Sequence, residues 1–202
     1  MRSQWIADIS HELRTPLSVL RGEMEAIQDG IRDLNLHNLD SLHSEVLRLA
    51  NLVEDLHLLS MADSQSLYMK NEPICPPAIL TDTIHLFEER FERKKIEIHT
   101  NAYQMNSAVI QGDKNRLTQL FINLFENTLR YTDSPGILNI RVDISAKTLL
   151  MYFEDSAPGV PDAELERIFD RLYRVDKSRS RELGGSGLGL SICRQIVENH
   201  GG

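Results

Sequence analysis

Residues 115–132, "NRLTQLFINLFENTLRYT", decide the fold. Leucine and phenylalanine recur there at helical spacing, so the stretch is predicted as a long helix with an apolar face. On it Asn123 and Asn127 lie four residues apart and share a face, with Arg130 close by. Amide and guanidinium groups on one face suit a hard cation and phosphate oxygens, because Mg2+ takes oxygen ligands and keeps part of its water shell. A plain solvated face accounts for the same pattern, so this stretch by itself leaves both readings open.

Just downstream the period changes from helical to two. "ILNIRVDI" (137–144) and "TLLMYFED" (148–155), separated by "SAK", alternate as the arms of a β-hairpin. Upstream, residues 78–93 are predicted helical, and "KIEIHT" (95–100) and "SAVIQG" (107–112) read as short strands. A helix at about 162–170, a polar loop ending in glycine up to 186 and a last helix from 187 complete an α+β sandwich. Before it, "NEPICPP" (71–77) carries Pro73, Pro76 and Pro77 and is expected to be a linker that no helix crosses.

Ahead of that linker, Ile6, Ile9, Leu13, Leu17, Leu20, Met24, Ile27 and Ile31 make one apolar stripe. Leu39, Leu42, Val46, Leu49, Val53 and Leu56 make a second, heptad-like seam. Gly30, Asp33, Asn35 and Asn38 between them mark a turn and supply an N-cap, so this is a helical hairpin. Two narrow seams cannot enclose a core, and pairing two hairpins into a four-helix bundle solves that; a homodimer is expected. Packing of these helices on the rest of the same chain is the alternative. The expected divisions are 1–68 for the hairpin, 69–77 for the linker and 78–202 for the α+β domain.

Among 202 residues, 41% are apolar and 26% charged, ordinary values for a chain that builds a core. A net charge of −8 argues against nucleic acid as a partner, since duplex phosphates need a positive footprint. Cys75 and Cys193 stand far apart and match neither a disulfide framework nor a metal knuckle. No apolar run reaches the roughly 18 residues of a membrane span.

Four places carry chemistry. In "SHELRTPL" (10–17), His11 lies between the stripe positions Ile9 and Leu13, so its ring should point away from the seam. Glu12 follows it, Thr15 lies one turn on, and Pro16 lacks the N–H that would bond the carbonyl of Glu12. A near-neutral imidazole has a free ring nitrogen for nucleophilic attack, and a neighbouring carboxylate takes or holds its other proton. An ordinary surface histidine fits the spacing too.

The asparagine face described above is the second place, and "DSAPGV" (155–160) is the third. It puts Asp155 at a strand end, where an acceptor-only carboxylate can take the amine of adenine; a turn aspartate is the alternative. The fourth, "GGSGLGLSI" (184–192), opens a helix with glycines, and helix-start amides bind phosphate. It is neither a P-loop nor a G-x-G-x-x-G fingerprint. Arg171, Arg174, Lys177, Arg179 and Arg181 precede it.

In order, these stretches resemble the transmitter region of bacterial sensor histidine kinases. "SHELRTPL" is similar to the H box, "NLFENTLRYT" to the N box, "DSAPGV" to the first G box, "IFDRLYR" to the F box and "GGSGLGL" to the second G box. The wording of the first helix and of "EDSAPGVPD" resembles the envelope-stress sensors of the BaeS type. The resemblance covers nearly the whole chain. It implies a dimerisation and phosphotransfer hairpin followed by an ATP-binding domain of the gyrase and Hsp90 kind, using ATP and Mg2+. It implies His11 as phosphoacceptor, Glu12 as general base and Thr15 as the residue orienting water in a phosphatase reaction. Asn127 would ligate Mg2+, helped by Asn123 and Glu126. Arg130, Tyr131 and Arg174 would face the nucleotide, Asp155 would read adenine, and Gly159, Gly185, Gly187, Leu188 and Gly189 would shape pocket and lid. The implied partner is the receiver domain of a response regulator, recognised near Arg21, Glu25 and residues 43–55. The implied parent is a membrane-anchored sensor of which this is a cytoplasmic portion.

Ala157 stands where that family usually has glycine, so its backbone is expected to avoid glycine-only conformations. The family pattern continues with further strands beyond "HGG", so a shortened ATP domain is expected. Two other readings stand beside the kinase: a dimeric nucleotide-binding module that transfers little phosphate, and a clamp ATPase, which leaves "SHELRTP" without a purpose.

Overall fold

A computed structural model describes residues 2–63, 69–105, 108–145, 148–175 and 186–202, with backbone alone for 2–8, 11–12, 48, 51–52, 54–55 and 57–63. The chain forms two compact units, Met1–Leu67 and Tyr68–Gly202.

In the first unit, helices α1 (Arg2–Gln28) and α2 (Leu36–Asp63) form the hairpin. The N–H groups of Ile31 and Arg32 both donate to the Ala26 carbonyl at 2.9 Å, closing the end of α1. Asn35 Oδ1 accepts from Asn38 N at 2.9 Å and so caps α2, and Asn38 Nδ2 donates to the Asp33 carbonyl at 2.7 Å. Helix α1 runs unbroken through Pro16, whose ring is fully buried. Burial of that ring offsets the hydrogen bond that a mid-helix proline forfeits. The seam is only half covered: Leu17, Met24, Leu39, Val46 and Val53 stay 50–53% exposed.

The second unit has strands β1 (Glu72–Ile74), β2 (Ile96–Thr100), β3 (Ile110–Gly112), β4 (Gly136–Ile144) and β5 (Leu149–Asp155). Its helices are α3 (Pro76–Arg93), α4 (Lys114–Tyr131) and α5 (Gly189–Asn199). Strands β1 and β3 pair antiparallel. In the larger sheet, β2 runs parallel to β4 and β4 antiparallel to β5, with Ile140 opposite Phe153. The ladder between β2 and β4 is extended by a side chain: Asn101 accepts from Val142 N at 2.8 Å and donates to Val142 O at 3.0 Å.

One face of the sheet holds the core. Leu138, Ile140 and Val142 alternate inward from β4, and Phe87 and Phe91 of α3 meet Phe125 of α4 edge-on at 5.4 and 5.6 Å. Phe153 of β5 closes the cluster against Phe121 at 6.0 Å. Three elements, α3, α4 and β5, thus share one aromatic layer, the arrangement that fixes α4 on the sheet.

Three sequence expectations change. Residues 69–77, expected as a linker, contribute β1 and the start of α3. Pro73 lies in a two-stranded ladder, and Pro76 and Pro77 occupy the first helical positions, where no N–H is needed. Residues 162–170 form a 3-10 turn (Asp162–Glu164) and further turns rather than a regular helix, with i to i+3 bonds such as Arg167 N to Glu164 O at 2.9 Å. Leu165 and Phe169 remain exposed there, so packing among the described residues does not sustain a longer helix. The last helix starts at Gly189 rather than 187.

Candidate nucleotide site and phosphoacceptor helix

Helix α4 is positioned at both ends. At its start Asp113 is the N-cap, with Oδ1 accepting from Asn115 N at 2.9 Å and Arg116 N at 3.2 Å, while Oδ2 accepts from Lys70 N at 3.1 Å. Burial would raise this carboxyl, but the three backbone donors and the Arg116 charge together hold it below the ordinary aspartate value. Toward its end, Arg90 of α3 grips both oxygens of Glu126, at 2.5 and 3.0 Å. That bond raises the Arg90 guanidinium further, against the opposing effect of burial. Lys94 Nζ donates to the Leu129 carbonyl; burial lowers its ammonium, and the nearby Asp133 charge partly compensates.

Helix α4 then presents its polar face. Asn123 Nδ2 reaches the Gly189 carbonyl at 3.5 Å, linking the asparagine face to the start of α5. The Asn127 side chain is half-buried and makes no hydrogen bond to the described residues. Such an amide suits a hard cation, for which its oxygen is a proper ligand. Glu126 is different: expected beside the metal, it has both oxygens on Arg90. Arg130 is half-buried, and Tyr131 is exposed at the helix end.

Asp155 ends β5 beside the C-terminus of α4. Thr132 Oγ1 donates to Asp155 Oδ2 at 3.2 Å, Asp133 N donates to the Ala157 carbonyl at 3.1 Å, and Ser156 and Ile137 exchange two bonds, at 2.9 and 3.0 Å. Asp155 Oδ1 has no donor among the described residues. Gly159 follows at φ 69°, whereas Ala157 is not among the positive-φ residues, as expected for alanine.

The F-box stretch meets the second glycine stretch through backbone. Leu172, at φ 61°, donates to the Gly187 carbonyl at 2.9 Å. Gly187 itself has φ 71°, and a Cβ there would lie 2.9 Å from the Leu172 carbonyl carbon. Tyr173 donates its hydroxyl to Glu164, and Arg167 stacks on the Tyr173 ring at 4.1 Å, fixing the stretch just before Arg174. Leu188 is fully buried, so only its backbone can face a ligand. Gly185, Lys177, Arg179 and Arg181 lie outside the described residues.

The structure therefore brings Asn123, Asn127, Asp155, Gly187 and Gly189 into one unit through α4. His11, Glu12 and Thr15 are on α1; Thr15 is exposed, and the side chains of His11 and Glu12 lie outside the described ones. Spacing alone missed Thr132 and Arg90. Thr132 closes the quoted helix stretch and could have been noticed there, whereas nothing local in "EERFER" points to Glu126.

A helical hairpin with a histidine stretch, followed by an α/β unit with an amide-bearing helix, defines a class of phosphoacceptor modules joined to an ATPase. The comparisons agree with that class. Residues 1–65 match the His Kinase A (phospho-acceptor) domain, and residues 112–202 match the histidine kinase-, DNA gyrase B- and HSP90-like ATPase. The whole chain is 49% identical to the signal transduction histidine-protein kinase BaeS of Escherichia coli (strain K12), covering 43% of that protein. It is 34% identical to the sensor histidine kinase WalK of Bacillus subtilis (strain 168), covering 33% of it. The solved histidine kinase AdeS of Acinetobacter baumannii superposes with a TM-score of 0.78 at 28% identity, over 93% of this chain and 86% of that one. The chain belongs to the sensor histidine kinases, of whose transmitter region it carries both domains. It spans less than half the length of these two curated relatives.

Proposed function

We propose that this chain is the ATP-dependent autokinase core of a two-component sensor, working as a homodimer. A ring nitrogen of His11 attacks the γ-phosphorus of ATP, the bond from that phosphorus to the β–γ bridging oxygen breaks, and ADP leaves. Glu12 takes the imidazole proton. The phosphoryl group then passes from the His11 nitrogen to an aspartate carboxylate of a response regulator receiver domain. In the reverse sense, Thr15, one helical turn from His11, orients water against the phosphorylated regulator.

On the nucleotide side, Asp155 accepts the adenine amine, and Arg130, Tyr131 and Arg174 face the nucleotide. Gly159, Gly185, Gly187, Gly189 and the backbone of Leu188 shape pocket and lid. Mg2+, when bound, neutralises charge on the phosphates, with Asn127 as its ligand and Asn123 beside it. Phosphoryl transfer asks mainly for such positioning and charge neutralisation.

The observation that carries this reading is the joining of two things on one chain. His11 falls within the phosphoacceptor match, and the Asn127 amide, without a hydrogen bond to the described residues, falls within the ATPase match. The half-exposed seam of α1 and α2 supports the homodimer, since a second hairpin would cover it. Regulator recognition is assigned to the exposed faces near Arg21 and Glu25, which pair at 3.5 Å, and residues 43–55. The parent is proposed to be membrane-anchored with this portion in the cytoplasm; no described helix is long and apolar enough to cross a membrane.

The test is incubation with γ-labelled ATP and Mg2+. Acid-labile label on the wild type, but not on His11→Ala or Asn127→Ala, is the expected result. Absence of label on a dimer that still binds ATP would replace the kinase with a nucleotide-binding module, and label released as free phosphate without passing through protein would favour a clamp ATPase.

A further inference from the structure

Thr132 lies at the junction between α4 and the adenine-reading carboxylate. Its N–H closes the last turn of α4 on the Thr128 carbonyl at 3.0 Å, its φ/ψ of −74°/131° turns the chain out of the helix, and it is only 3% exposed. The side chain has two branches with separate tasks. The methyl Cγ2 packs so tightly on Gly136 that a Cβ built there would come within 2.7 Å of it. The hydroxyl donates to Asp155 Oδ2 at 3.2 Å. A β-branched side chain has few χ1 choices. With the methyl seated on Gly136, the hydroxyl is directed at the carboxylate.

The surroundings hold both partners. Asp133 N on the Ala157 carbonyl at 3.1 Å and Ser156 N on the Ile137 carbonyl at 2.9 Å tie the 132–137 segment to the end of β5. A carboxylate on a strand end otherwise rotates about χ1 and χ2. With Oδ2 engaged by Thr132, Oδ1 is the oxygen left to accept from a ligand, in a fixed direction. Adenine and guanine differ at the position this carboxylate would read, where one offers an amine and the other an oxygen. An oriented acceptor discriminates between them, whereas a mobile one can swing away from the guanine oxygen and admit it.

We infer that Thr132 is a specificity-determining positioning residue: its hydroxyl holds Asp155 in the orientation that selects adenine over guanine nucleotides. This rests on the reading of Asp155 given under the proposed function. The 202-residue chain is titrated with a non-hydrolysable ATP analogue and with its GTP counterpart, in Mg2+, for wild type, Thr132→Val, Thr132→Ser and Asp155→Asn, with Tm measured for each. Thr132→Val keeps the shape and loses the donor, so the preference for the ATP analogue should fall about three- to tenfold, the range of one ordinary hydrogen bond. Thr132→Ser keeps the donor and should retain most of the preference. A Thr132→Val protein with lowered Tm but wild-type discrimination would reduce Thr132 to a structural residue and overturn the inference. If Asp155→Asn also leaves discrimination unchanged, the reading of Asp155 itself fails; if Asp155→Asn abolishes it while Thr132→Val does not, only the role of Thr132 fails.

Discussion

Replacing Gly187 by alanine separates backbone strain from ordinary packing in the second glycine stretch, because Gly189 two residues on provides the control. Gly187 has φ 71°, a region that costs an L-residue about 1–2 kcal/mol. A Cβ there would also lie 2.9–3.0 Å from backbone atoms of Leu172 and 3.0 Å from the Tyr173 carbonyl oxygen. These are backbone atoms, so relief requires moving the whole F-box segment and breaking the Leu172 N bond to the Gly187 carbonyl; overpacking of this kind costs about 1–3 kcal/mol. Together the expected loss is about 2–5 kcal/mol. Gly189 begins α5 without positive φ, and its nearest contact for an added Cβ is Asn123 Cγ at 3.9 Å. Alanine there should be neutral or stabilising by up to about 1 kcal/mol. The assay is urea unfolding without nucleotide, followed by near-UV circular dichroism of the tyrosines, all 5 of which lie within residues 68–202. With a slope of about 1–3 kcal/mol per molar urea, the Gly187→Ala midpoint should fall by roughly 1 M or more. Equal midpoints for the two variants, or a Gly187→Ala loss under about 1 kcal/mol, would refute the claim that this glycine is required by backbone approach.

Asp113→Ala removes the cap of α4 and should cost about 1–2 kcal/mol at neutral pH. Because the folded carboxyl lies below its ordinary value of 3.8, the wild-type advantage is complete above that pH and is lost as pH falls through the folded value. Unfolding of both proteins across that acid range should therefore converge, and a gap that stays constant would count against the capping bonds. Lys95, at φ 54°, should tolerate glycine with a gain of about 0.5–1 kcal/mol, the strain relieved less the added freedom of the unfolded chain. A lower Tm for Lys95→Gly would contradict it. Phe125→Ala removes the ring at the centre of the aromatic layer and should cost about 3–5 kcal/mol in the same urea assay, whereas a loss below about 2 would mean the layer collapses into the space.

The helices were readable because their apolar period is local: α4, α3 and the hairpin helices each announce themselves within a few turns, and β4 and β5 by strict alternation. Proline misled at 73–77, since its effect depends on whether the missing N–H was ever needed, and a ladder partner thirty-odd residues away settles that. The stretch 162–170 misled in the opposite direction: it reads as a helix, but among the described residues nothing covers Leu165 and Phe169, which stay exposed. The candidate residues were legible as chemical types in family order. Their partners were not. Glu126 next to Asn127 invites a metal role, and only the placement of α3 against α4 puts Arg90 on both its oxygens.

By itself the chain's order of residues determined two domains, the helix carrying Asn123 and Asn127, the strand ending at Asp155 and the stretch around His11, because each depends on contacts within a few residues. Tertiary structure alone decided which polar atoms are occupied and which are left over. Asn127 and Asp155 Oδ1 lack protein partners among the described residues, while Glu126 and Asp155 Oδ2 are engaged from α3 and from the end of α4. A side chain's hydrogen bonds to distant segments depend on packing geometry that no local pattern encodes.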